Sequence, residues 1–355
     1  MWSSHPLPHG AQAFFVKIEE NISLASCTTF RVGGPARFFV HAETEDDVRD
    51  AIRFATKQNL PFLILGGGSN ILADDAGCSG VVIRIGLRGL SREGEDLLSE
   101  AGESWDGVVA RAVSEGLWGI ENLSSIPGTV GGAPVQNIGA YGVSLSETLR
   151  SLEALDLTTL DIKTFSKEEC QFGYRDSLFK RKGGFVILRV RLGLSLQPRP
   201  RLSYRDVAER FEGIETPPLQ AIRDAICSIR SAKFPDLSRE GTAGSFFMNP
   251  IVSPEVAAAL AARYPELPQF SESGGVKIPL AFILDKILGF RGKSLEGVRA
   301  FERQPLVLVN DGSASARGVR AFARSIQERV KQETGIDIVP EVRVMKDCSI
   351  TRSLA

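Results

Sequence analysis

The sequence predicts an α/β or α+β protein with more than one domain. Its length of 355 residues exceeds the roughly 250 residues at which a single hydrophobic core stops growing. Helix and strand patterns alternate along most of the chain. The segment Gln197-Pro198-Arg199-Pro200 is the best candidate for a domain boundary, because proline-rich polar segments interrupt regular structure. Two or three packed domains are therefore expected.

In the first half, the regular elements lead into a glycine-rich loop. After Thr44, a good helix cap, apolar residues recur at helical spacing until Pro61. The continuous apolar run 62–65 predicts a buried strand. Further patterns predict a strand over 81–85 and a helix over 104–115. The buried strand ends at the run Gly66-Gly67-Gly68-Ser69-Asn70.

The second half alternates in the same way. The segment 279–288 is apolar and has a proline at a helix start, and Gly335 is placed to end the last helix. The predicted elements are a strand over 185–194, a helix over 219–231, a strand over 306–309, a helix from about Ser315 and a final strand over 338–344.

Composition excludes several classes of site. A formal net charge of -1 gives no reason to expect nucleic acid as a partner. The five cysteines are scattered and odd in number, so we expect neither a disulfide framework nor a zinc site. The three histidines all lie within the first 41 residues, so a histidine metal site and a Ser-His-Asp triad lack their parts. No bound metal is predicted.

Nothing in the sequence predicts a membrane protein. The first ten residues contain no apolar core, so they do not resemble a secretory signal. No stretch approaches the roughly 18 apolar residues that span a bilayer. We therefore expect a cytoplasmic protein.

Two glycine-rich loops are candidates for binding phosphate. In the loop 66–70, consecutive glycines can bring bare N–H groups against an anion, although a plain tight turn explains this segment equally well. It does not fit the GxGxxG fingerprint. The second loop, 126–142, is long and apolar and would be costly to order without a ligand. Together the two loops suit an extended diphosphate such as that of FAD, and an ordered loop without a ligand is the alternative.

Three further segments carry reactive side chains. Arg175 offers a fork suited to a carboxylate, but on its own segment a surface ion pair with Asp176 or Glu169 is the simpler explanation. Ser245 stands on a glycine turn before two aromatic residues, where either a catalytic hydroxyl or a strand entry is compatible. Glu341 interrupts an apolar strand, so a structural salt bridge competes with a catalytic role.

Taken in order, these segments resemble the UDP-N-acetylenolpyruvoylglucosamine reductase family. The resemblance runs from about Thr29 to Val344 and rests on TTFRVGGPAR, LILGGGSNIL, IPGTVGGAPVQNIGAYG, FGYRDSLFK, GSFFMNP, VKIPLAFILDKILGFRG and PEVRV. It implies an α+β fold with a vanillyl-alcohol-oxidase-type FAD-binding domain of two α+β lobes and a smaller α+β substrate-binding domain. The implied division is a flexible leader 1–20, an FAD-binding domain 21–198 with lobes 21–88 and 89–198, a substrate-binding domain 199–335, a C-terminal strand 336–346 carrying Glu341, and a tail 347–355.

The resemblance also implies site residues. Tyr204 corresponds to the tyrosine that closes over the nucleotide in one form of the family. Met248 stands where many members have lysine, and the tail matches no family segment. The implied catalytic residues are Arg175, Ser245 and Glu341. The implied substrate contacts are Tyr174, Tyr204, Lys233, Asn249 and Lys277. The implied cofactor contacts are Gly66, Gly67, Gly68, Ser69, Asn70, Ile71, Ser125, Ile126, Pro127, Gly128, Thr129, Gly131, Gln136, Asn137, Gly139, Ala140 and Tyr141.

The activity implied by the resemblance is the NADPH-dependent reduction of UDP-N-acetylenolpyruvoylglucosamine to UDP-N-acetylmuramate, in peptidoglycan precursor synthesis. FAD would be held non-covalently, and the protein would be a monomer. Reduced flavin would give hydride to the enolpyruvyl methylene carbon. Arg175 and Glu341 would bind and polarise the substrate carboxylate, and Ser245 would supply the proton.

Two other functions compete with this interpretation. One is a flavin oxidase of the same fold that acts on an alcohol or a sugar. Many such enzymes tether the flavin through histidine or cysteine, and neither glycine-rich loop contains either residue. The other is a non-catalytic module that binds UDP-sugars, which the joint presence of Arg175, Ser245 and Glu341 argues against.

Overall fold

A computed structural model describes residues 16–272 and 274–354 of the chain. Most of the predicted leader, 1–20, lies outside the described residues. The first strand already begins at Ile18, inside that predicted segment. The chain then folds around three groups of strands and helices, which we describe in chain order.

The first group is a four-stranded sheet covered by one helix. Its elements are β1 (Ile18–Ser23), β2 (Pro35–Ala42), α1 (Glu45–Lys57), β3 (Phe62–Leu65), β4 (Ile71–Leu72) and β5 (Cys78–Ile85). The sheet order is β1-β2-β5-β3, with β5 parallel to both β2 and β3. Thr44 and Asp47 cap the start of α1 reciprocally. The apolar face of α1 packs on the sheet, as the helical spacing predicted.

The second group is an antiparallel sheet in the order β11-β10-β12-β7-β6. The predicted helix and strand are present, with Ser104 as the helix cap. The stretch 126–142, which showed no regular pattern, contains one short helix and one strand. The elements are β6 (Leu90–Glu93), β7 (Asp96–Glu100), α2 (Trp105–Ser114), α3 (Gly132–Val135), β8 (Gly139–Ala140), β9 (Val143–Ser144), β10 (Leu149–Asp156), β11 (Ile162–Ser166), α4 (Leu178–Lys182) and β12 (Phe185–Gly193).

The third group contains a four-stranded sheet, β13-β19-β18-β17, and a three-stranded sheet, β14-β16-β15. Ser315 caps α9 and Gly335 ends it in the left-handed conformation, as predicted. Within the described residues, no helix is long and apolar enough to cross a membrane. The elements are α5 (Arg205–Ala208), α6 (Leu219–Lys233), β13 (Gly241–Ser245), β14 (Ile251–Val252), α7 (Pro254–Arg263), β15 (Phe270–Glu272), β16 (Gly275–Lys277), α8 (Leu280–Phe282) continued by a π-helical turn (Ile283–Ile287), β17 (Ser294–Leu295), β18 (Val298–Phe301), β19 (Gln304–Asn310) and α9 (Ala316–Thr334).

Helix α6 packs away from the sheets that follow it in the chain. Its apolar residues Ile222, Ile226 and Ile229 belong to the core of the second group, together with α2. The predicted substrate-binding domain, 199–335, therefore begins with a helix whose buried face lies in the neighbouring lobe.

The C-terminal strand is shorter and later than the predicted strand over 338–344. It is β20 (Arg343–Lys346), and Glu341 lies before it. Pro340 cannot donate a ladder hydrogen bond, and the N–H of Glu341 bonds instead to the carbonyl of Phe246 at 2.8 Å. The predicted tail contains β21 (Ser349–Thr351), which forms a hairpin with β20. β20 also pairs in parallel with β4.

The cysteines form no disulfide framework, but one pair is joined, which the sequence analysis did not predict. Cys78 and Cys348 are joined across a sequence separation of 270. The two cysteines are too far apart in the sequence for the disulfide to be predicted. They come together because β20 pairs with β4, which brings the C-terminal hairpin beside β5. The other three cysteines are free, and Cys27 and Cys170 are buried.

Candidate active site

A cavity of about 380 Å³ lies where the two lobes meet the C-terminal hairpin. Both glycine-rich loops contribute to its walls, and so do α4 and the start of β20. Loop 66–70 reaches the cavity because β3 ends there, as the pattern predicted. The predicted cofactor residues that line it are Gly66, Gly67, Gly68, Ser69, Asn70, Ile71, Ile126, Pro127, Gly128, Thr129, Gly131 and Gln136.

Close approaches of the backbone require glycine at several positions in the cavity wall. A Cβ on Gly67 would lie 2.8 Å from the Cα of Gly128, and a Cβ on Gly68 would lie 2.2 Å from the carbonyl of Cys27. Gly68 and Gly128 also have positive φ, which other residues rarely adopt. The Ser69 hydroxyl donates to the carbonyl of Pro127 at 3.0 Å and links the loops. At these glycines, loops 66–70 and 126–142 therefore present backbone without side chains to the cavity, and we call this surface the glycine cradle.

Unpartnered polar atoms and apolar walls show what the cavity can hold. The Thr129 hydroxyl and the Nε of Arg343 are buried without a hydrogen-bond partner in the described part of the chain. Trp105, Phe179 and Ile350 supply apolar wall. Backbone N–H groups of glycine loops suit a diphosphate, and apolar walls suit an aromatic ring. The donor set therefore fits a dinucleotide such as FAD.

Five predicted cofactor residues lie outside the walls of this cavity. Among them, Asn137 donates to the carbonyl of Gly173 at 3.0 Å and accepts from the N–H of Ser146 at 3.0 Å. It thereby fixes the segment that carries Arg175. The five are Ser125, Asn137, Gly139, Ala140 and Tyr141.

Arg175 and Glu341 meet beside the cavity, although 166 positions separate them in the sequence. The Nε of Arg175 donates to Glu341 Oε1 at 3.1 Å, and a terminal nitrogen donates to the carbonyl of Gly139 at 2.5 Å. Arg175 has φ 52°, a strained conformation for a residue with a side chain. The alternative of a surface pair with Asp176 or Glu169 was wrong, because Asp176 pairs with Arg181 instead.

Burial controls the protonation of Glu341. It raises the pKa of the carboxyl above its ordinary value, and the nearby Arg175 and Lys180 oppose that rise. The backbone carbonyl of Glu341 accepts from the amide of Asn70 at 3.2 Å. This bond ties the first glycine loop to the carboxylate segment.

Ser245 stands at the end of β13, opposite Val307 of β19. The next residue, Phe246, accepts hydrogen bonds from the backbone N–H groups of Glu341 and Val342. The backbone therefore places Ser245 one residue from the contact between Phe246 and the segment that contains Glu341. Gly244, with φ 77°, lies within β13 at the irregularity in its pairing with β19 between Thr242 and Ser245.

The predicted substrate contacts fall into two clusters, one around Tyr174 and one around Tyr204. Tyr174 has Lys277 Nζ 5.8 Å from its ring centre, and Asn249 as a hydrogen-bonding neighbour. Burial raises the pKa of Tyr174. Lys277 also pairs with Glu272.

The second cluster surrounds Tyr204, which is 43% exposed. Its ring packs edge-on against Tyr141 at 5.1 Å, and Lys233 Nζ lies 6.0 Å from the ring centre. Lys233 pairs with Asp206. Burial raises the pKa of Tyr141 to about 12.

Sequence reasoning missed several residues of the cavity wall. Lys180 and Arg343 belong to the motifs FGYRDSLFK and PEVRV, but neither was predicted to be a site residue. Ile350 lies in the tail that matched no motif. The two motifs could have indicated Lys180 and Arg343 as site residues. Ile350 reaches the cavity only because the C-terminal hairpin folds beside it.

Comparison with known proteins places the fold and the cavity in a class. Residues 36–159 match a family model described as an FAD binding domain. The class is therefore that of flavoproteins with this FAD-binding domain, and both glycine-rich loops lie within the matched residues.

The particular family follows from the rest of the chain. Residues 236–345 match the model "UDP-N-acetylenolpyruvoylglucosamine reductase, C-terminal domain". The chain is 41% identical over 335 residues to the UDP-N-acetylenolpyruvoylglucosamine reductase of Pseudomonas aeruginosa, covering 92% of this chain and 98% of that protein. It is 39% identical over 340 residues to the enzyme of that name from Amoebophilus asiaticus, covering 93% and 99%. The chain belongs to the UDP-N-acetylenolpyruvoylglucosamine reductase family.

A solved structure supports the fold. The reductase of Thermus caldophilus superposes with a TM-score of 0.69 at 24% identity, covering 94% of this chain and all of that one. The predicted α+β fold with a vanillyl-alcohol-oxidase-type FAD-binding domain is confirmed.

Proposed function

We propose that the chain reduces UDP-N-acetylenolpyruvoylglucosamine to UDP-N-acetylmuramate, with FAD as its non-covalent cofactor and NADPH as the hydride donor. The observation that carries the proposal is the convergence of Arg175, Glu341 and the Ser245 segment beside a glycine-lined cavity. The names of the relatives, over nearly the whole chain, agree with it. When bound, FAD accepts hydride from NADPH and supplies it to the enolpyruvyl double bond.

The residues of the chain then have distinct tasks. Arg175 offers charged donors to the substrate carboxylate, where negative charge grows as hydride arrives. Glu341 accepts a hydrogen bond from Arg175 and so orients the guanidinium towards the substrate. Ser245 donates the proton to the carbon next to that carboxylate, which is basic enough to accept it from a positioned hydroxyl.

The nucleotide part of the substrate would lie along the clusters around Tyr174 and Tyr204. Tyr204 would close over the nucleotide, and Lys233, Asn249 and Lys277 would contact its polar groups together with Tyr174. Lys233 and Lys277 are held by Asp206 and Glu272, which keeps their ammonium groups near the two tyrosines.

For the cofactor, we keep all the contacts named from the sequence as the proposed set. The residues that line the cavity would bind FAD directly. Asn137 would act through the loop it holds. The proposed division of the chain is an FAD-binding domain 21–198 and a substrate-binding domain 199–335, with α6 anchoring the second to the first.

We infer that the protein is cytoplasmic, because both NADPH and a nucleotide-sugar substrate are cytoplasmic compounds. We also propose that it is a monomer. Disulfides are rare in that compartment. The sulfurs of this one lie in residues that are only 2% and 8% exposed, and burial shields them from thiols.

The test of the function is a visible absorption spectrum, recorded without oxygen during stepwise additions. The oxidised-flavin bands are expected to bleach with NADPH and to return with UDP-N-acetylenolpyruvoylglucosamine. Bands that bleach but do not return would exclude this substrate. Rapid oxygen consumption with simple alcohols would favour an oxidase, and a colourless protein that still binds UDP-sugars would favour a binding module.

Tyr204→Ala is expected to raise the KM for the UDP substrate about tenfold with little change in kcat. Aromatic packing contributes about 0.5–1.5 kcal/mol beyond area, and the half-exposed ring is free to cover a ligand. Steady-state kinetics measure the effect. Tyr204→Phe keeps the ring and serves as the control, so an unchanged KM in Tyr204→Ala would remove Tyr204 from the site.

A further inference from the structure

Two cations in the wall of the cofactor cavity have no carboxylate partner within the described part of the chain. Lys180 lies on α4, is only 9% exposed, and donates from Nζ to the carbonyl of Arg175 at 2.8 Å. Arg343 begins β20, and its backbone N–H donates to the carbonyl of Asn70 at 2.9 Å. Both side chains line the cavity, and the Nε of Arg343 is buried without a partner.

Each of the two nearby carboxylates already forms an ion pair with another cation. Glu341 accepts from Arg175. Asp176 pairs with Arg181, and Arg352 of the C-terminal hairpin approaches it at 3.9 Å. This corner of the molecule therefore carries more positive than negative charge. Buried charges are normally paired, so the excess marks a place for an anionic ligand.

The protonation behaviour of the two groups agrees with this excess. Burial, reinforced by Arg352, lowers the pKa of Lys180 to about 8. Burial and Arg352 also lower the pKa of Arg343, which remains charged because arginine does not lose its proton in proteins. An anion in the cavity would relieve the repulsion among these cations.

Three anions could lie nearby, and position distinguishes them. The substrate carboxylate is assigned to Arg175 and Glu341, neither of which lines the cofactor cavity. A diphosphate is suited to the N–H groups of the glycine loops. Lys180 contacts the carbonyl of Arg175, and Arg343 follows Glu341 by two residues. Both therefore stand at the end of the cavity next to the Arg175–Glu341 pair, where the reacting part of the cofactor must meet the substrate.

We propose that Lys180 and Arg343 balance the negative charge of the flavin ring system in its reduced state. The inference rests on the proposed FAD cofactor. Reduction of bound FAD by two electrons with uptake of one proton leaves one negative charge on the ring system. Two fixed cations stabilise that charge and so favour reduction. Without them, the flavin would be a poorer hydride acceptor from NADPH.

The measurement is the midpoint potential of the bound flavin, titrated electrochemically in the absence of NADPH and substrate. Arg343→Met is expected to lower the equilibrium constant for two-electron reduction about tenfold, which is a shift of about 30 mV to a more negative potential. Lys180→Met is expected to shift it in the same direction. Arg343→Lys keeps the charge and should retain most of the wild-type potential.

Lys346→Met is the matched control, because it removes one positive charge from an exposed position on the same strand. Its potential should equal that of the wild type. FAD content and melting temperature of each variant show that the fold and the cofactor are retained. Should Arg343→Met fail to fold, Lys180→Met and Arg343→Gln carry the test.

Two results would overturn the inference. An unshifted potential with weaker FAD binding would assign the cations to the diphosphate. An unshifted potential with weaker binding of the UDP substrate would assign them to the substrate carboxylate. Neither result touches the proposed function, which fails only if the flavin of the wild-type protein is not reoxidised by the enolpyruvyl substrate.

Discussion

Ser245→Ala is expected to leave reduction of the flavin by NADPH unchanged and to slow its reoxidation by substrate about 100- to 10,000-fold. A positioned acid or base contributes roughly that factor to a proton transfer. NADPH gives its hydride without needing a proton from the serine, whereas the substrate carbon needs one after hydride arrives. Stopped-flow absorbance of the flavin separates the two half-reactions.

The design distinguishes a proton donor from a structural serine. Ser271→Ala, at an exposed position on β15, is the matched control and should behave like the wild type in both half-reactions. Because Ser245 pairs with Val307 through backbone groups only, loss of its hydroxyl should leave the sheet intact. Equal slowing of both half-reactions would exclude Ser245 as the donor.

Arg175→Met is expected to lower kcat about 100- to 1,000-fold and to destabilise the fold by about 3 kcal/mol at neutral pH. The first effect is typical of losing a donor to developing negative charge. The loss of stability arises because removal of Arg175 leaves the buried carboxylate of Glu341 without its partner. The ion pair is partly exposed, so we expect a loss at the lower end of the range for buried ion pairs.

The stability loss should depend on pH with a defined sign. Burial already raises the pKa of Glu341 above its ordinary value of 4.5, and Arg175 opposes the rise. Without Arg175 the folded-state pKa rises further, so the folded state holds more protons than the unfolded state above pH 4.5. The free energy of unfolding then falls as pH rises from 4.5 through the folded-state pKa. Variant and wild type should therefore differ less at pH 5 than at pH 8.

Urea unfolding at several pH values measures this effect. Glu341→Gln in the Arg175→Met background removes the ionisable group and should abolish the extra pH dependence. Arg53→Met breaks an exposed pair with Asp50 and should cost no more than about 1 kcal/mol. A loss of stability in Arg175→Met that is the same at pH 5 and pH 8 would show that Glu341 is not its cause.

Local patterns predicted the elements well where packing and propensity agree. The helix after Thr44 has the predicted cap and the predicted buried face, and Gly335 ends α9 as expected. The glycine loop after β3 reaches a cavity. In these cases one short segment contains all the information, because its cap, its apolar spacing and its turn lie within a few residues of each other.

Contacts between distant segments could not be read in this way. The partner of Arg175 lies 166 positions away, and the nearest acidic residues in sequence were the wrong candidates. The disulfide between Cys78 and Cys348 was not predicted for the same reason, because it depends on the pairing of β20 with β4. Pro340 also shortened the final strand, because the bond from Glu341 to Phe246 replaces a ladder bond that only the tertiary fold makes available.

The pairing of β4 with β20 makes the order of synthesis matter for activity. Both glycine loops lie before residue 143 and leave the ribosome early, whereas Glu341, Arg343 and Ile350 are added long after them. Domains generally fold as they are made, so the early lobes can form while their ligand cavity still lacks one wall. A nascent chain can therefore contain both glycine loops but not yet the carboxylate that orients Arg175, and the site is complete only after the segment from Glu341 to Ile350 has been made.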